Sequence, residues 1–205
     1  MAARELAYVH HEIGKEEMGT GNVLRKAIKS TARLRWFAPY GMALAERFVK
    51  RALAQVTRYF TDETIRQNAR QAVLDLISPR TRIVVGHSLG SVVAYEAVQQ
   101  MQRPLPLFLT IGSPLGLETL IYHRLRPQPP TFPRVRRWVN VASRDDFIAV
   151  EADLRQMFSA GIPADAVFEG GFTVDTGAAP YNANFYLTKA QVGRPIGETL
   201  GELTA

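Results

Sequence analysis

Apolar residues recur in two different periods along the chain, and the change between them divides it. Residues 6–9, Leu-Ala-Tyr-Val, form a short apolar run that predicts a strand. A polar stretch with Gly14, Gly19 and Gly21 follows. From Asn22, a cap candidate, the spacing turns helical through Val23, Leu24, Ala27 and Ile28. Trp36-Phe37-Ala38-Pro39 breaks that element. A second helix is predicted over 41–59, with Leu44, Phe48, Leu53 and Val56 among its apolar positions. Thr61-Asp62-Glu63-Thr64 reads as the start of a third helix. It buries Ile65, Ala69, Ala72, Val73 and Leu76 and stops at Ser78-Pro79.

Beyond Pro79 the texture changes. Ile83-Val84-Val85 is β-branched and uninterrupted, as in a strand buried on both faces. A helical pattern follows Gly86 through Val92, Val93, Tyr95, Ala97 and Val98. Leu105 to Ile111 reads as a second buried strand, 117–125 as a short helix, 135–141 as a third strand and 148–158 as a helix. Residues 167–168 and 172–174 suggest a further strand, and helix is expected from Leu187 onward. Strands alternating with helices predict an α/β fold, a mostly parallel sheet with helices on both faces, in a single domain over 1–205.

Composition narrows the chemistry. Of 205 residues 46% are hydrophobic and 21% charged, an ordinary globular balance. Cysteine is absent, which excludes disulfides, thiolate metal sites and a cysteine nucleophile. The four histidines are His10, His11, His87 and His123, with none beyond position 123. His10 and His11 are adjacent and would face opposite ways on a strand, so no metal site is expected. Gly19-Thr20-Gly21 lacks the spacing of a phosphate-binding loop. No cofactor is implied.

The net charge is +6, from 25 Lys+Arg against 19 Asp+Glu. The densest cluster, Arg124, Arg126, Arg134, Arg136 and Arg137, is broken by four prolines, so no helix carries it as one basic stripe. It reads as a surface loop, and nucleic-acid binding is not expected. No apolar run reaches the roughly 20 residues of a membrane span, and the N-terminus lacks a signal peptide's apolar core. A cytoplasmic protein is the expectation, with a homo-oligomer among the arrangements the sequence allows.

Gly86-His87-Ser88-Leu89-Gly90 is a G-x-S-x-G pentapeptide, and it follows a predicted strand and opens a predicted helix. A turn that sharp strains the serine backbone, and both glycines are expected to remove side chains that would collide with neighbouring backbone. The hydroxyl of Ser88 then stands at the helix N-terminus, and the N–H of Leu89 can donate to a developing oxyanion. His87 reads as a packing or hydrogen-bonding residue rather than a base.

With Ser91-Val92-Val93-Ala94-Tyr95-Glu96, this block resembles the nucleophile elbow of the α/β-hydrolase superfamily, in its bacterial esterase- and lipase-like members. Tyr8-Val9-His10 resembles the strand leading to the His-Gly oxyanion loop. Ile111-Gly112-Ser113-Pro114-Leu115-Gly116 resembles the strand and turn after the elbow helix. Trp138-Val139-Asn140-Val141 and Arg144-Asp145-Asp146-Phe147 resemble the strand and turn that carry the acid. The resemblance covers most of 80–200. It is thinner over 1–79, as in an abbreviated version of the fold.

The resemblance implies Ser88 as nucleophile, Asp146 as the acid that orients a histidine base, and an oxyanion hole from Leu89 and a donor near His11. Asp145 is the alternative acid, and helix capping the plainer role for the pair. The family's base would fall near Tyr181 or Asn182, and neither can serve. His10 or His11 would then supply the base from the end of the early strand. His123 or another subunit are further sources. The function implied is a serine hydrolase acting on a small-molecule carboxylic ester. The alternative is a catalytically impaired scaffold used for binding or assembly, and acyl transfer by the same serine is a third reading. Trp36, Phe37 and Tyr40 are candidates for an acyl pocket or for the core.

Overall fold

The computed structural model describes residues 42–201 except 145, 147, 150 and 177–181. The predicted elements before residue 41, with His10, His11, Trp36, Phe37 and Tyr40, lie outside the described residues, as does Asp145. The chain divides into two compact units, Met1–Glu46 and Arg47–Ala205.

Helix α1 spans Met42–Thr61 and α2 spans Glu63–Leu76. Asp62 separates them. Its extended backbone leaves the helix, and its carboxylate accepts from the N–H of Ile65 at 3.0 Å, satisfying one of the orphan donors of α2. Strand β1 (Ile83–His87) leads into α3 (Leu89–Val98). Strands β2 (Leu105–Ile111), β3 (Val135–Ser143) and β4 (Val167–Val174) follow, then α4 (Ala183–Leu187) and α5 (Ala190–Gly201). The four strands form one all-parallel sheet in the order β1-β2-β3-β4. This is an α/β fold, as the alternation of periods predicts.

The two faces of the sheet carry separate cores. On one, Phe108, Trp138 and Phe168 lie in register across β2, β3 and β4, and Trp138 stacks on Phe168 with centroids 4.3 Å apart. Val92, Tyr95 and Val98 of α3 and Tyr59 of α1 close over this row. On the other face Leu107, Leu109, Ile111, Val139 and Val141 pack against Tyr186 of α4 and Val192 of α5. Helix α3 is apolar almost all round and correspondingly buried, as a core helix must be.

One charge enters that core. Glu96 of α3 is buried and accepts from Tyr59 Oη at 2.7 Å, from Arg66 Nε at 2.9 Å and from the backbone N–H of Arg126 at 2.9 Å. A second guanidinium nitrogen of Arg66 also bonds it. Four donors satisfy the carboxylate, which is what makes a buried charge tolerable. They tie α1, α2 and the arginine-rich segment to α3. Burial and then the adjacent Glu96 charge hold the Tyr59 phenol well above its usual range, so it remains a donor.

The arginine-rich segment is accordingly not one basic patch. Arg126 pairs with Glu63 at 2.8 Å, and Arg137 bonds Glu169 at 2.5 Å and Glu198 at 2.7 Å. Phe132 is buried, and Tyr95 Oη donates to the carbonyl of Thr131 at 2.7 Å, so the segment is pinned to the core. Among the described residues no helix is long and apolar enough to cross a membrane.

Two predicted helices are absent. Residues 117–125 hold turns and a single 3-10 turn at Tyr122–Arg124. Residues 148–158 hold no helix among the described positions. The carbonyl of Ala152 is taken by Asn140 Nδ2 at 2.8 Å and by the N–H of Gly171 at 3.0 Å. With that acceptor committed to β3 and β4, Leu154 and Phe158 are buried from irregular backbone instead.

Candidate active site

Ser88 sits between β1 and α3 with φ 51 and ψ −132, the one non-glycine residue at positive φ among the described residues. L-residues rarely adopt this conformation, which costs on the order of 1–3 kcal/mol and persists only where the surroundings impose it. Several bonds impose it here. The N–H of Ser88 donates to the carbonyl of Ile111 at 3.2 Å. Its own carbonyl accepts from Ser91 Oγ at 2.5 Å and from the Ser91 N–H at 2.9 Å. Ser91 Oγ also lies 2.7 Å from Ser113 Oγ, which links the turn to the end of β2.

Gly86 is required by this packing. A Cβ at that position would lie 2.6 Å from the Cα of Ser91, backbone that cannot give way without moving α3 off the strand. Gly90 is different. A Cβ there meets nothing within 4 Å, so the expectation that both glycines avoid a collision holds for Gly86 alone. Leu89 is the first residue of α3, so its N–H belongs to the set without an intrahelical acceptor.

Asp146 follows β3 and is 5% exposed. Its Oδ1 accepts from the N–H of Ile148 at 2.8 Å and of Ala149 at 3.4 Å, the capping geometry expected of a helix start although no helix follows. Its Oδ2 accepts from Tyr186 Oη at 2.7 Å. That same phenol oxygen accepts from the N–H of Ser143 at 2.8 Å. Burial pushes the Asp146 carboxyl above the usual range, against the pull of the Tyr186, Ile148 and Ala149 bonds and the nearby His87. Burial and then the Asp146 charge hold the Tyr186 phenol well above its ordinary value.

Gly112 makes this pair possible. It has φ 53, and a Cβ on it would fall 2.8 Å from Asp146 Oδ2 and 3.2 Å from Tyr186 Oη. A side chain at 112 would displace the carboxylate.

A cleft of about 280 Å³ brings these elements together. Ser88 and His87 line it from β1 and its turn, Gly112 from the end of β2, and Asp146 and Ile148 from the loop after β3. Arg51, Ala52 and Gln55 of α1 complete the wall. Ser88 and Asp146, singled out from the sequence, thus share one cavity. His87 lines the same cleft, its ring centroid 6.3 Å from that of Tyr186. His123 lies elsewhere, exposed on the 3-10 turn with Nε2 3.6 Å from Glu118. Asn182 caps α4, accepting from the N–H of Asn184 at 3.0 Å, and Tyr181 lies outside the described residues.

Tyr186 and Arg51 carried no role in the sequence reading, and Gly112 only that of a turn residue. Tyr186 lies a few residues beyond Tyr181 and Asn182, and its aromatic ring there was the available signal. A strained serine at a helix N-terminus with a buried carboxylate in the same cleft can support nucleophilic chemistry once a base is supplied. Comparisons with protein-family models, curated proteins and solved structures found no match for this chain.

Proposed function

We propose that the protein is a serine hydrolase of carboxylic esters, built on an abbreviated α/β-hydrolase-like scaffold. The observation that carries this reading is the backbone of Ser88: a non-glycine residue at φ 51, at a helix N-terminus, beside a buried carboxylate. Strain of this kind concentrates where a side chain must be presented to a ligand. In the reaction, Ser88 Oγ attacks the ester carbonyl and loses its proton to an imidazole. The N–H of Leu89 stabilises the oxyanion of the tetrahedral intermediate. Collapse expels the alcohol, which takes the proton back from the imidazole. Water then hydrolyses the acyl-serine by the same steps. Asp146 orients the base.

A fluorophosphonate probe tests the reading, because only an activated serine is labelled. Labelling that is lost in Ser88→Ala, together with loss of p-nitrophenyl butyrate turnover, supports it. Equal turnover by the wild type and Ser88→Ala would overturn it.

A second reading has its own observation. Asp146 Oδ2 is already engaged by Tyr186, where a working triad would offer the carboxylate to a histidine. On that ground the alternative is a binding or assembly protein that retains the turn without the chemistry. Absence of labelling at Ser88 in the folded protein would favour it.

A further inference from the structure

We infer that the cleft at Ser88 selects esters that carry a second, anionic group, a carboxylate or a phosphate, and that Arg51 receives it. The ester half of this statement rests on the hydrolase reading above; the anion half does not.

Arg51, Ala52 and Gln55 bring α1 into the cleft wall. Positions 51 and 55 are one turn apart on the same face of the helix. Arg51 is exposed, and among the described residues no carboxylate lies within ion-pair distance of it. Arg66, Arg126, Arg137 and Arg155 contrast with it, each pairing with a carboxylate. The carboxylate at the cleft, Asp146, is buried, and its oxygens accept from Tyr186, Ile148 and Ala149. The exposed charged side chain in the cleft wall is the Arg51 guanidinium. Its planar fork of donors matches carboxylate and phosphate oxygens. Gln55 adds an amide one turn away.

The test compares mono-p-nitrophenyl glutarate with p-nitrophenyl valerate, an anionic and a neutral ester of equal length. The ratio of their kcat/KM values is measured for the wild type, Arg51→Gln and Arg51→Lys. Arg80→Gln removes the same charge at the far end of β1 and serves as control. Calorimetric titration with glutarate and with methyl phosphate, on the same proteins, needs no turnover and separates the two anions. The expected result is a preference for the anionic ester that falls about two- to five-fold in Arg51→Gln, partly returns in Arg51→Lys and is kept in Arg80→Gln. Anion binding should weaken in parallel. Equal ratios and equal anion binding in wild type and Arg51→Gln would overturn the inference, whether or not Ser88 turns over the neutral ester. Arg51-dependent anion binding without Ser88-dependent turnover would uphold the anion site and overturn the hydrolase reading.

Discussion

Tyr186 Oη donates to Asp146 Oδ2 at 2.7 Å, across 40 residues of sequence, and accepts from the N–H of Ser143 on its other side. One phenol thus anchors the acid of the candidate site to the end of β3, with Gly112 leaving room for both oxygens. Removing that hydroxyl orphans a buried donor and a buried carboxylate oxygen together. Tyr186→Phe should cost about 1–3 kcal/mol of stability, read as a lower denaturant midpoint at constant slope. A loss below about 0.5 kcal/mol would show that water replaces the phenol.

The raised Asp146 pKa fixes the sign of a pH effect. A carboxyl whose folded pKa lies above its unfolded value binds protons more readily in the folded state. Its stabilising contribution is therefore present at low pH. That contribution is lost as pH rises from the ordinary value of 3.8 through the higher folded one. The difference in unfolding free energy between wild type and Asp146→Asn should shift against the wild type across that window and be flat above it. A difference moving the opposite way would mean that the hydrogen bonds outweigh burial.

Ser88 exchanges stability for presentation of its hydroxyl. Ser88→Gly relieves the positive φ and should stabilise by about 1 kcal/mol after glycine's own entropic cost, while abolishing fluorophosphonate labelling. Thermal unfolding and labelling read the two effects separately. A destabilised Ser88→Gly would show that the turn is not strained.

The two glycines of the pentapeptide should behave oppositely. Gly86→Ala drives a methyl into the Ser91 backbone and should cost about 1–3 kcal/mol and the labelling of Ser88. Gly90→Ala finds open space in a helix and should be neutral or stabilising by up to about 1 kcal/mol. Chemical denaturation of the two variants checks the contrast.

Glu96 carries the largest expected loss. Glu96→Ala strands the Arg66 guanidinium, the Tyr59 hydroxyl and the Arg126 N–H, and should cost about 3–5 kcal/mol. Equilibrium unfolding measures it, and a cost near that of an exposed ion pair would show that the cluster reaches water.

What could be read in one dimension was local. The cap at Asp62, the uninterrupted β-branched run that opens β1 and the buried run of β2 follow from backbone propensity and hydrophobic period over a few residues. The demand for glycine at 86 follows from the sharpness of a strand-to-helix turn. These physical causes act within a turn or a strand, so the α/β order and the place of Ser88 between β1 and α3 were legible without any knowledge of neighbours.

The predicted helix at 148–158 failed because its Ala152 carbonyl is bound from β3 and β4, a competition invisible to periodicity. The partner of Asp146 was equally hidden. Tyr186 reaches it because α4 packs on the sheet face opposite α3, and Gly112 leaves space at the end of β2. Arg51 joins Ser88 because α1 runs past the cleft. Short-range forces on the chain therefore settled the strands and the helices outside 117–125 and 148–158, and the place of Ser88 at a strand-to-helix turn. Which side chains meet in the cleft was decided by packing between elements distant in sequence, since a hydrogen bond or an unpaired charge acquires meaning only from what the fold brings beside it.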